Sequence, residues 1–248
     1  MGEAVENEFK FTAEGKQDIA ALSARMEGFL QDSGVVYSKK AKRSVDSYFD
    51  TSDQRVYESD CILRRKVSEN GKVKLTIKRP ITNEYQMMSR QEIEVSSDGR
   101  FEEIAAFSEE YLPGLQIEEE PILNLECERI AFDYKDGSGI KLSLDSCTYV
   151  SNDHRKDFCE IELESMGDST QSGFDSIGIC DFVTKDLGFT PVTESKYRRG
   201  IQWIRGLRPR RGWRLPGATG YRRSRHPSDI GWMLLTFSIP VVSGGVRT

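Results

Sequence analysis

Charged residues stand at every second position in six segments of this chain, and no other pattern in the sequence limits its possible folds as strongly. In Glu6–Lys10 three charges alternate with Asn7 and Phe9, and in Glu160–Glu164 three carboxylates alternate with two apolar residues. Successive side chains of a strand point to opposite faces, so each segment predicts a strand with one charged face. The other four charged faces carry Arg64 and Lys66; Lys74, Thr76 and Lys78; Arg90, Glu92 and Glu94; and Ser143 and Asp145.

Turn residues and apolar spacing divide the chain into about eight strands and a few helices. Glu69-Asn70-Gly71 between two alternating runs is a strong hairpin signal, and Pro80 is expected to end that hairpin. Strands are predicted at Val5–Phe11, Val35–Phe49, Cys61–Val67, Lys72–Arg79, Met88–Val95, Ile122–Tyr134, Ile140–Val150 and Asp157–Glu164. Helices are predicted over residues 15–33, 100–111, 174–187 and 195–204. Hairpin-linked strands with helices at only a few crossings indicate an α+β protein, built on an antiparallel barrel or a strongly curved sheet.

The charged faces could be solvated on an open sheet or gathered inside a closed one. On a single strand the solvated face is the ordinary case. Across six strands, that interpretation leaves carboxylates two residues apart, as in Glu6 and Glu8, repelling one another with no cation between them. Rolling the sheet shut with its charged faces inward places a carboxylate cluster opposite a cluster of lysine and arginine. We therefore expect a charged interior, with the apolar faces outside and covered by helices.

The acidic and basic residues sort by strand in a way that indicates phosphoryl chemistry. The first and last strands, with Asp145, supply acids, and residues 61–80 supply bases. Carboxylates without histidine or cysteine among them are hard oxygen ligands that suit Mg²⁺ or Mn²⁺. Lysine and arginine opposite them are what a polyphosphate chain requires. Metal and bases together can neutralise phosphate oxygens during phosphoryl transfer.

Six short motifs occur in order between residues 3 and 204. They are Glu6-Asn7-Glu8-Phe9-Lys10, Tyr48-Phe49-Asp50-Thr51, Leu63-Arg64-Arg65-Lys66, Leu75-Thr76-Ile77-Lys78-Arg79-Pro80, Glu160-Ile161-Glu162 and Ser195-Lys196-Tyr197. The first has the form ExExK, and the set resembles the signature elements of the CYTH superfamily, also called triphosphate tunnel metalloenzymes. ExExK alone occurs often by chance, but six elements in order and at sensible spacings are specific.

This resemblance implies a closed eight-stranded antiparallel β-barrel, a tunnel with a charged interior and helices packed outside. Members of the superfamily hydrolyse inorganic triphosphate, thiamine triphosphate or RNA 5′-triphosphate ends, or cyclise ATP. Carried over by position, the metal ligands would be Glu6, Glu8, Asp145, Glu160 and Glu162. The substrate-binding bases would be Lys10, Arg64, Lys66, Lys78, Arg129 and Lys196. The residues expected to be catalytic are Glu6, Glu8, Lys10 and Glu162.

Three of the residues that the resemblance singles out keep a second interpretation. Arg129 shares its strand face with Leu125 and Cys127, so alternation alone does not direct it into a charged interior. Glu92 and Glu94 are either the family's fifth-strand acids or structural partners of neighbouring bases.

Other reactive residue types are expected to be structural. Ser195 is interpreted as a helix cap rather than a nucleophile, and His154 as an exposed turn residue. The cysteines are widely spaced, odd in number and without a CxxC pair, so they predict buried thiols rather than a zinc cage or a disulfide framework. They are Cys61, Cys127, Cys147, Cys159 and Cys180.

The function we expect is hydrolysis of a triphosphate with Mg²⁺ or Mn²⁺ as cofactor, releasing orthophosphate. Inorganic triphosphate is favoured over a nucleoside or thiamine triphosphate. One alternative is an adenylyl cyclase that makes cyclic AMP from ATP, and another is a non-catalytic module that binds polyphosphate or a nucleotide. Five carboxylates disfavour the last, because a pure anion binder gains little from acids near its ligand.

Charge divides the chain into residues 1–205, the predicted CYTH domain, and residues 206–248. The second segment has eight arginines and one acid, Asp229, for a net charge of +7, whereas residues 1–205 have 27 basic and 39 acidic residues, for −12. Such an acidic body repels nucleic acid, so contact with nucleic acid is expected only through the arginine-rich segment, if at all. Residues 206–248 lack periodicity and are interpreted as a disordered or non-native extension, with a functional basic tail as the alternative.

Location and partners follow from the remaining patterns. Met1–Lys10 carries acids where a signal peptide has basic and apolar regions, so a cytoplasmic location is expected. The apolar run Trp232–Val242 is too short to span a membrane. We expect no membrane partner, a small-molecule triphosphate as ligand, and a monomer or homodimer.

Overall fold

The computed structural model describes residues 2–84, 87–166 and 177–207, all of which belong to one compact unit. Residues 208–248, which hold nearly all of the predicted C-terminal extension, lie outside the described residues. The first part of the helix predicted over residues 174–187 lies outside them as well.

Eight long strands form a single antiparallel sheet. They are β1 Gly2–Glu14, β2 Tyr37–Tyr48, β3 Ile62–Ser68, β4 Val73–Glu84, β5 Met87–Ser97, β6 Leu123–Tyr134, β7 Ile140–Ser151 and β8 His154–Met166. Their order in the sheet is β5-β4-β3-β2-β6-β7-β8-β1, and β1 also pairs with β5. The sheet is therefore a closed ring of eight strands.

The first strand closes this ring because it pairs with strands from both ends of the sheet. The Gly2–Glu8 part of β1 pairs with β5, and the Glu6–Glu14 part pairs with β8. A short strand, β9 at Thr190–Val192, adds beside Lys10–Thr12 where β5 has left β1. The prediction of a closed eight-stranded antiparallel barrel in an α+β protein is confirmed.

The helices lie at the barrel's outer faces and at one of its ends. They are α1 Ile19–Asp32, α2 Arg55–Glu58, α3 Phe101–Tyr111, α4 Ile179–Asp181 with a π-helical turn at Phe182–Asp186, and α5 Lys196–Gly206. No helix in the described part of the chain combines the length and the apolar character that a membrane span requires.

Charged side chains face the interior of this barrel and apolar side chains face outward, the reverse of an ordinary globular core, and β1 shows this arrangement. Glu6, Glu8 and Lys10 line the interior, whereas Phe9 and Phe11 pack outside with Leu22, Met26 and Leu30 of α1. The helix α3 covers a second apolar cluster, on the outer faces of β3, β4 and β5. Burying a large apolar side chain stabilises the fold by about 1.5 to 3 kcal/mol, so the outer clusters supply the hydrophobic term that the charged interior cannot.

The hairpin ends before Pro80, as predicted, but the prediction that its second strand ends at Arg79 is wrong. β4 continues through Pro80 to Glu84, with a register irregularity between Pro80 and Thr82. Proline lacks an N–H and is tolerated in a strand where no neighbour needs that donor. The pairing of β3 with β4 stops at Lys78, so Pro80 has a partner strand, β5, on one side only.

The last helix, α5, packs closely against the barrel, and a glycine makes this possible. A Cβ atom added at Gly200 would lie 2.2 Å from a Leu123 side-chain carbon and 3.0 Å from the Tyr149 ring. Gly28 in α1 has nothing within 4 Å of the same added atom. Of these two glycines, only Gly200 is therefore required by packing.

We predict that Gly200→Ala lowers the free energy of unfolding by about 1 to 3 kcal/mol, because the added methyl group forces α5 away from β6 and β7. Gly28→Ala is the matched control, and its expected effect is a gain of up to about 1 kcal/mol from helix propensity alone. Urea unfolding of both variants measures the difference. Equal effects would show that the close approach of α5 does not matter for stability.

Candidate active site in the barrel lumen

The barrel encloses a cavity of about 600 Å³, which we call the lumen. All eight long strands contribute side chains to its wall, and Ser195, Lys196 and Tyr197 of the α5 segment contribute from one end. Towards the other end the lysines are much more exposed, with 58% of Lys40 and 41% of Lys141 open to solvent against 11% of Lys196. The lumen is thus closed by α5 at one end and open at a lysine-rich rim at the other.

Glu6 and Glu8 lie on the β1 wall of the lumen, and each is paired with a lysine. Lys78 contacts Glu6 directly, and its Nζ lies 3.5 Å from Glu92 Oε2. Burial alone would raise the pKa of Glu6, but the Lys78 ammonium outweighs burial and lowers that pKa to about 2. The Glu6 carboxylate is therefore ionised over the whole physiological range.

Glu8 differs from its neighbour because its lysine does not fully offset burial. Lys10 Nζ lies 2.9 Å from Glu8 Oε1, and this oxygen accepts no hydrogen bond within the described residues. Burial raises the pKa of Glu8, Lys10 opposes that rise and the charge on Glu6 adds to it. A buried carboxylate whose charge is only partly offset by its lysine is suited to receive a further cation.

A denser network of charges lies nearer to α5. Arg129 donates to both oxygens of Asp145 at 2.7 and 2.6 Å and to Glu162 at 2.6 Å. Lys196 Nζ contacts Asp145, Glu160 and Glu162 at 2.9, 2.6 and 2.7 Å. Burial raises the pKa of Glu162 and of Asp145, but the cations around them outweigh burial and lower both values.

Among the predicted metal ligands, Glu160 has a different environment. Its side chain is completely buried, and Arg199 and Lys196 of α5 contact its two oxygens. It does not line the lumen, whereas Glu6, Glu8, Asp145 and Glu162 do. Glu160 is therefore covered at the end of the barrel that α5 closes, where it holds two bases of that helix.

Two bases of β3 face the lumen from the opposite wall with unequal partners. Arg64 pairs with Asp46 at 3.2 Å. No carboxylate of the described residues lies within ion-pair distance of the Lys66 ammonium, and burial lowers its pKa below the ordinary value, which Asp46 on the neighbouring strand opposes only in part. A half-buried ammonium without a counter-ion is a preformed site for an anion.

Asp50 fixes the position of Lys196 indirectly, by holding its neighbour Tyr197. Its carboxylate accepts hydrogen bonds from the backbone N–H groups of Val56 and Tyr57 at 2.8 and 3.0 Å and from the Tyr197 hydroxyl. The same Asp50 therefore caps α2 and anchors the first turn of α5. Ser195 accepts a hydrogen bond from the Arg198 N–H, so its predicted role as a helix cap agrees with this geometry.

The structure brings together the residues that the sequence nominated. Every predicted base lines the lumen, including Arg129. Leu125 and Cys127 share the inward face of Arg129, but they lie towards the end of the barrel that α5 closes, where an apolar cluster forms. Glu92 and Glu94 also line the lumen, and both pair with lysines of β4. His154 is half-buried at the start of β8 and is not a lumen residue.

Three charged residues of the site were missed. Arg90 was noted only for its alternation, yet it is buried and donates to the Asp60 carbonyl at 3.1 Å. Asp46 lies on β2, where Lys39 and Arg43 put charges on the outer face too and so obscure the alternation. Arg199 is one helical turn from Ser195, and no sequence signal directs it to Glu160.

The sequence profile of the CYTH domain matches residues 4–199. A Bacillus halodurans protein named as a candidate adenylate cyclase is similar in structure, with 19% identity and a TM-score of 0.54 over 80% of this chain and 98% of that one. HpAC1 from Hippeastrum, a protein with a dominant triphosphatase activity, has 17% identity and a TM-score of 0.51 over 80% of this chain and 96% of its own. At these identities the likeness shows a shared fold. Comparison with curated protein sequences gives no significant match.

The ion pair of Lys78 with Glu6 leads to a prediction about stability and pH. We expect Lys78→Met to lower the free energy of unfolding at pH 7 by about 3 to 5 kcal/mol, because it leaves a buried carboxylate without its main partner. The pKa of Glu6 is depressed in the folded protein, so its stabilising contribution is complete above its ordinary pKa of 4.5 and disappears as the pH falls towards about 2. The deficit of the variant should therefore persist down to about pH 4.5 and shrink below that value, as followed by urea unfolding at pH 7 and pH 3.

Lys74→Met is the matched control on the same strand and face. Lys74 pairs with Glu94, and both side chains are at least one-third exposed, so its loss should change stability by less than about 1 kcal/mol at either pH. A deficit for Lys78→Met that is the same at both pH values would show that the charge of Glu6 is not its source.

Proposed function

The chain belongs to the CYTH family, and we propose that it hydrolyses inorganic triphosphate with Mg²⁺ or Mn²⁺ inside the barrel, releasing orthophosphate. Enzymes of this family are mostly metal-dependent triphosphatases that bind triphosphate substrates. One observation carries the proposal for this chain. Carboxylates and bases line opposite walls of one lumen, and one of the partly buried bases, Lys66, has no carboxylate of the described residues within ion-pair distance.

The acidic wall fits a hard divalent cation. Glu6, Glu8 and Glu162 offer only oxygen atoms, the ligands that Mg²⁺ and Mn²⁺ prefer, and all three are buried at the lumen surface. The incomplete compensation of the Glu8 charge by Lys10 and the repulsion between Glu6 and Glu8 both favour a cation between them. When bound, the metal would neutralise phosphate oxygens and lower the pKa of a coordinated water. Asp145 lies on the same side and would join this set if Arg129 turned to the substrate.

The basic residues would bind the phosphates by exchanging partners. Lys78, Arg129 and Lys196 hold carboxylates in this structure, and phosphate oxygens are equally good acceptors for them. Lys66 and Arg64 on β3 would hold the end of the triphosphate that leaves as diphosphate. Lys10 lies between Glu8 and Glu162, where it would stabilise negative charge on the terminal phosphate.

The lining of the lumen favours inorganic triphosphate over a nucleotide. Tyr48 and Tyr197 are the aromatic residues of the described lumen wall, and both are almost fully buried against each other at the closed end. A base or a thiazolium ring would need an exposed aromatic or apolar surface. Apart from Ile62, Leu125, Cys127 and Ala131, the side chains of the described wall are charged or carry hydroxyl groups.

A panel of substrates and metals tests the proposal. We expect inorganic triphosphate to release orthophosphate with Mg²⁺ or Mn²⁺, faster than thiamine triphosphate, ATP or GTP do, and no release in the presence of a chelator. Glu8→Gln should reduce the metal-dependent rate at least about a hundredfold, since it removes a charged oxygen ligand. Orthophosphate release and cyclic AMP formation are measured side by side.

Glu126→Gln is the control for that variant, because Glu126 is exposed on β6 and pairs only with Arg155. It should keep the wild-type rate. Formation of cyclic AMP from ATP would make the chain an adenylyl cyclase instead. Tight binding of triphosphate without metal and without turnover would make it a binding module.

The unpaired lysine allows binding to be separated from stability. We expect Lys66→Met to weaken metal-free binding of inorganic triphosphate at least about tenfold, the loss of one charge-assisted contact. Its free energy of unfolding should stay equal or rise, because an unpartnered ammonium no longer has to be desolvated. Calorimetric titration and urea unfolding measure the two quantities. A variant that is destabilised like Lys78→Met would contradict the assignment of Lys66 as a free anion site.

A further inference from the structure

Two cysteines meet across neighbouring strands inside the barrel. Cys127 of β6 and Cys147 of β7 are direct partners in the register, and their sulfur atoms lie 3.5 Å apart. Both are free thiols, Cys147 is buried, and Cys127 is partly exposed and lines the lumen. A solute that enters the lumen can therefore reach the pair.

A carboxylate stands beside this thiol pair. One ligand atom from each of Cys127, Cys147 and Asp145 can be chosen so that all three lie within 4.8 Å of one another. In a tetrahedral zinc site the bonds to sulfur are about 2.3 Å and those to carboxylate oxygen about 2.0 to 2.2 Å, so ligand atoms at this separation can share one ion after small movements. The fourth position would face the lumen and be open to water or a phosphate oxygen.

We propose that Cys127, Cys147 and Asp145 form a binding site for a thiophilic divalent cation of the Zn²⁺ type. Two sulfur ligands select Zn²⁺ over the hard cations Mg²⁺ and Mn²⁺, which the carboxylates of β1 and β8 suit. Binding would convert both thiols to thiolates and release two protons, so the two positive charges of the ion are matched by two new negative ones. The lumen then holds two cation sites of different hardness.

Asp145 makes the thiol site antagonistic to the hydrolysis proposed above, and this consequence rests on that function. Asp145 now accepts hydrogen bonds from Arg129 and Lys196, two of the bases that would bind phosphate. An ion that takes Asp145 adds its own charge beside both bases and changes their partners. Zn²⁺ is therefore expected to inhibit turnover that Mg²⁺ supports.

Cobalt serves as the probe for the site, because Co²⁺ bound to thiolate gives charge-transfer absorption that oxygen ligands do not. The full chain, kept reduced with a phosphine, is titrated with Co²⁺ and the metal is then displaced with Zn²⁺. We expect the absorption in the wild type, its loss on addition of Zn²⁺, and its absence in Cys127→Ser and Cys147→Ser. Zn²⁺ affinity should fall at least about tenfold in each variant.

Cys180→Ser is the matched control, since Cys180 is partly buried in the α4 segment and outside the lumen. It should keep the absorption. No thiolate absorption in the wild type, or absorption that persists in both lumen variants, would overturn the proposal. Spectroscopy needs no turnover, so it tests the site even if triphosphate is not hydrolysed.

The inhibitory consequence has its own measurement. Each protein's Mg²⁺-dependent rate is compared with and without added Zn²⁺, so every variant is its own reference. We expect Zn²⁺ to inhibit the wild type and Cys180→Ser, and to inhibit the two lumen variants at concentrations at least about tenfold higher. Equal inhibition of all four proteins by Zn²⁺ would overturn the antagonism. The existence of the thiol site would still be decided by the cobalt absorption.

Discussion

A buried charge must have a counter-charge, and the architecture of this protein follows from meeting that requirement inside a closed barrel. Desolvating an isolated carboxylate or ammonium costs several kcal/mol, so unpaired ionic groups cannot simply be enclosed. Here acids from β1, β7 and β8 face bases from β3, β4, β6 and α5, and nearly every buried acid of the described lumen contacts a base. The pairing explains how strands can turn their charged faces inward and leave their apolar faces to the helices.

The same pairs that make the barrel possible also make it suitable for a charged ligand. An ion pair in a confined, poorly hydrated space is strong, but it can be replaced by another pair of equal charge at little net cost. A divalent cation with a polyphosphate offers such a replacement, since the cation takes the acids and the phosphates take the bases. Lys66 differs from the other buried bases, because no ion pair with a described carboxylate has to break before it binds an anion. It would bias the exchange towards the anion.

Much of this could be predicted from the sequence, because strand alternation has a period of two that survives in a single chain. It located Glu6, Glu8, Lys78 and Glu162 on inward faces without any structural information. It failed where both faces of a strand are charged, as around Asp46. It also failed at Pro80, because a proline can end a hairpin without ending the strand that contains it. It could not find the Cys127–Cys147 pair, since the partners are twenty residues apart and only the register of β6 with β7 joins them.

The closed end of the barrel carries a consequence for how the lumen can be used. Gly200 lets α5 approach β6, and Asp50 holds Tyr197. Lys196 of the same helix then contacts the carboxylates of Asp145, Glu160 and Glu162 from a fixed position. Because this end is filled by packed side chains, a ligand would enter and its products would leave past the lysine-rich rim. Those rim lysines are exposed and only weakly held by their acids, so they attract anions without trapping them. On the proposed function, the gradient from loose pairs at the rim to tight pairs beside α5 would direct a polyphosphate inward, and it depends on α5 keeping its position.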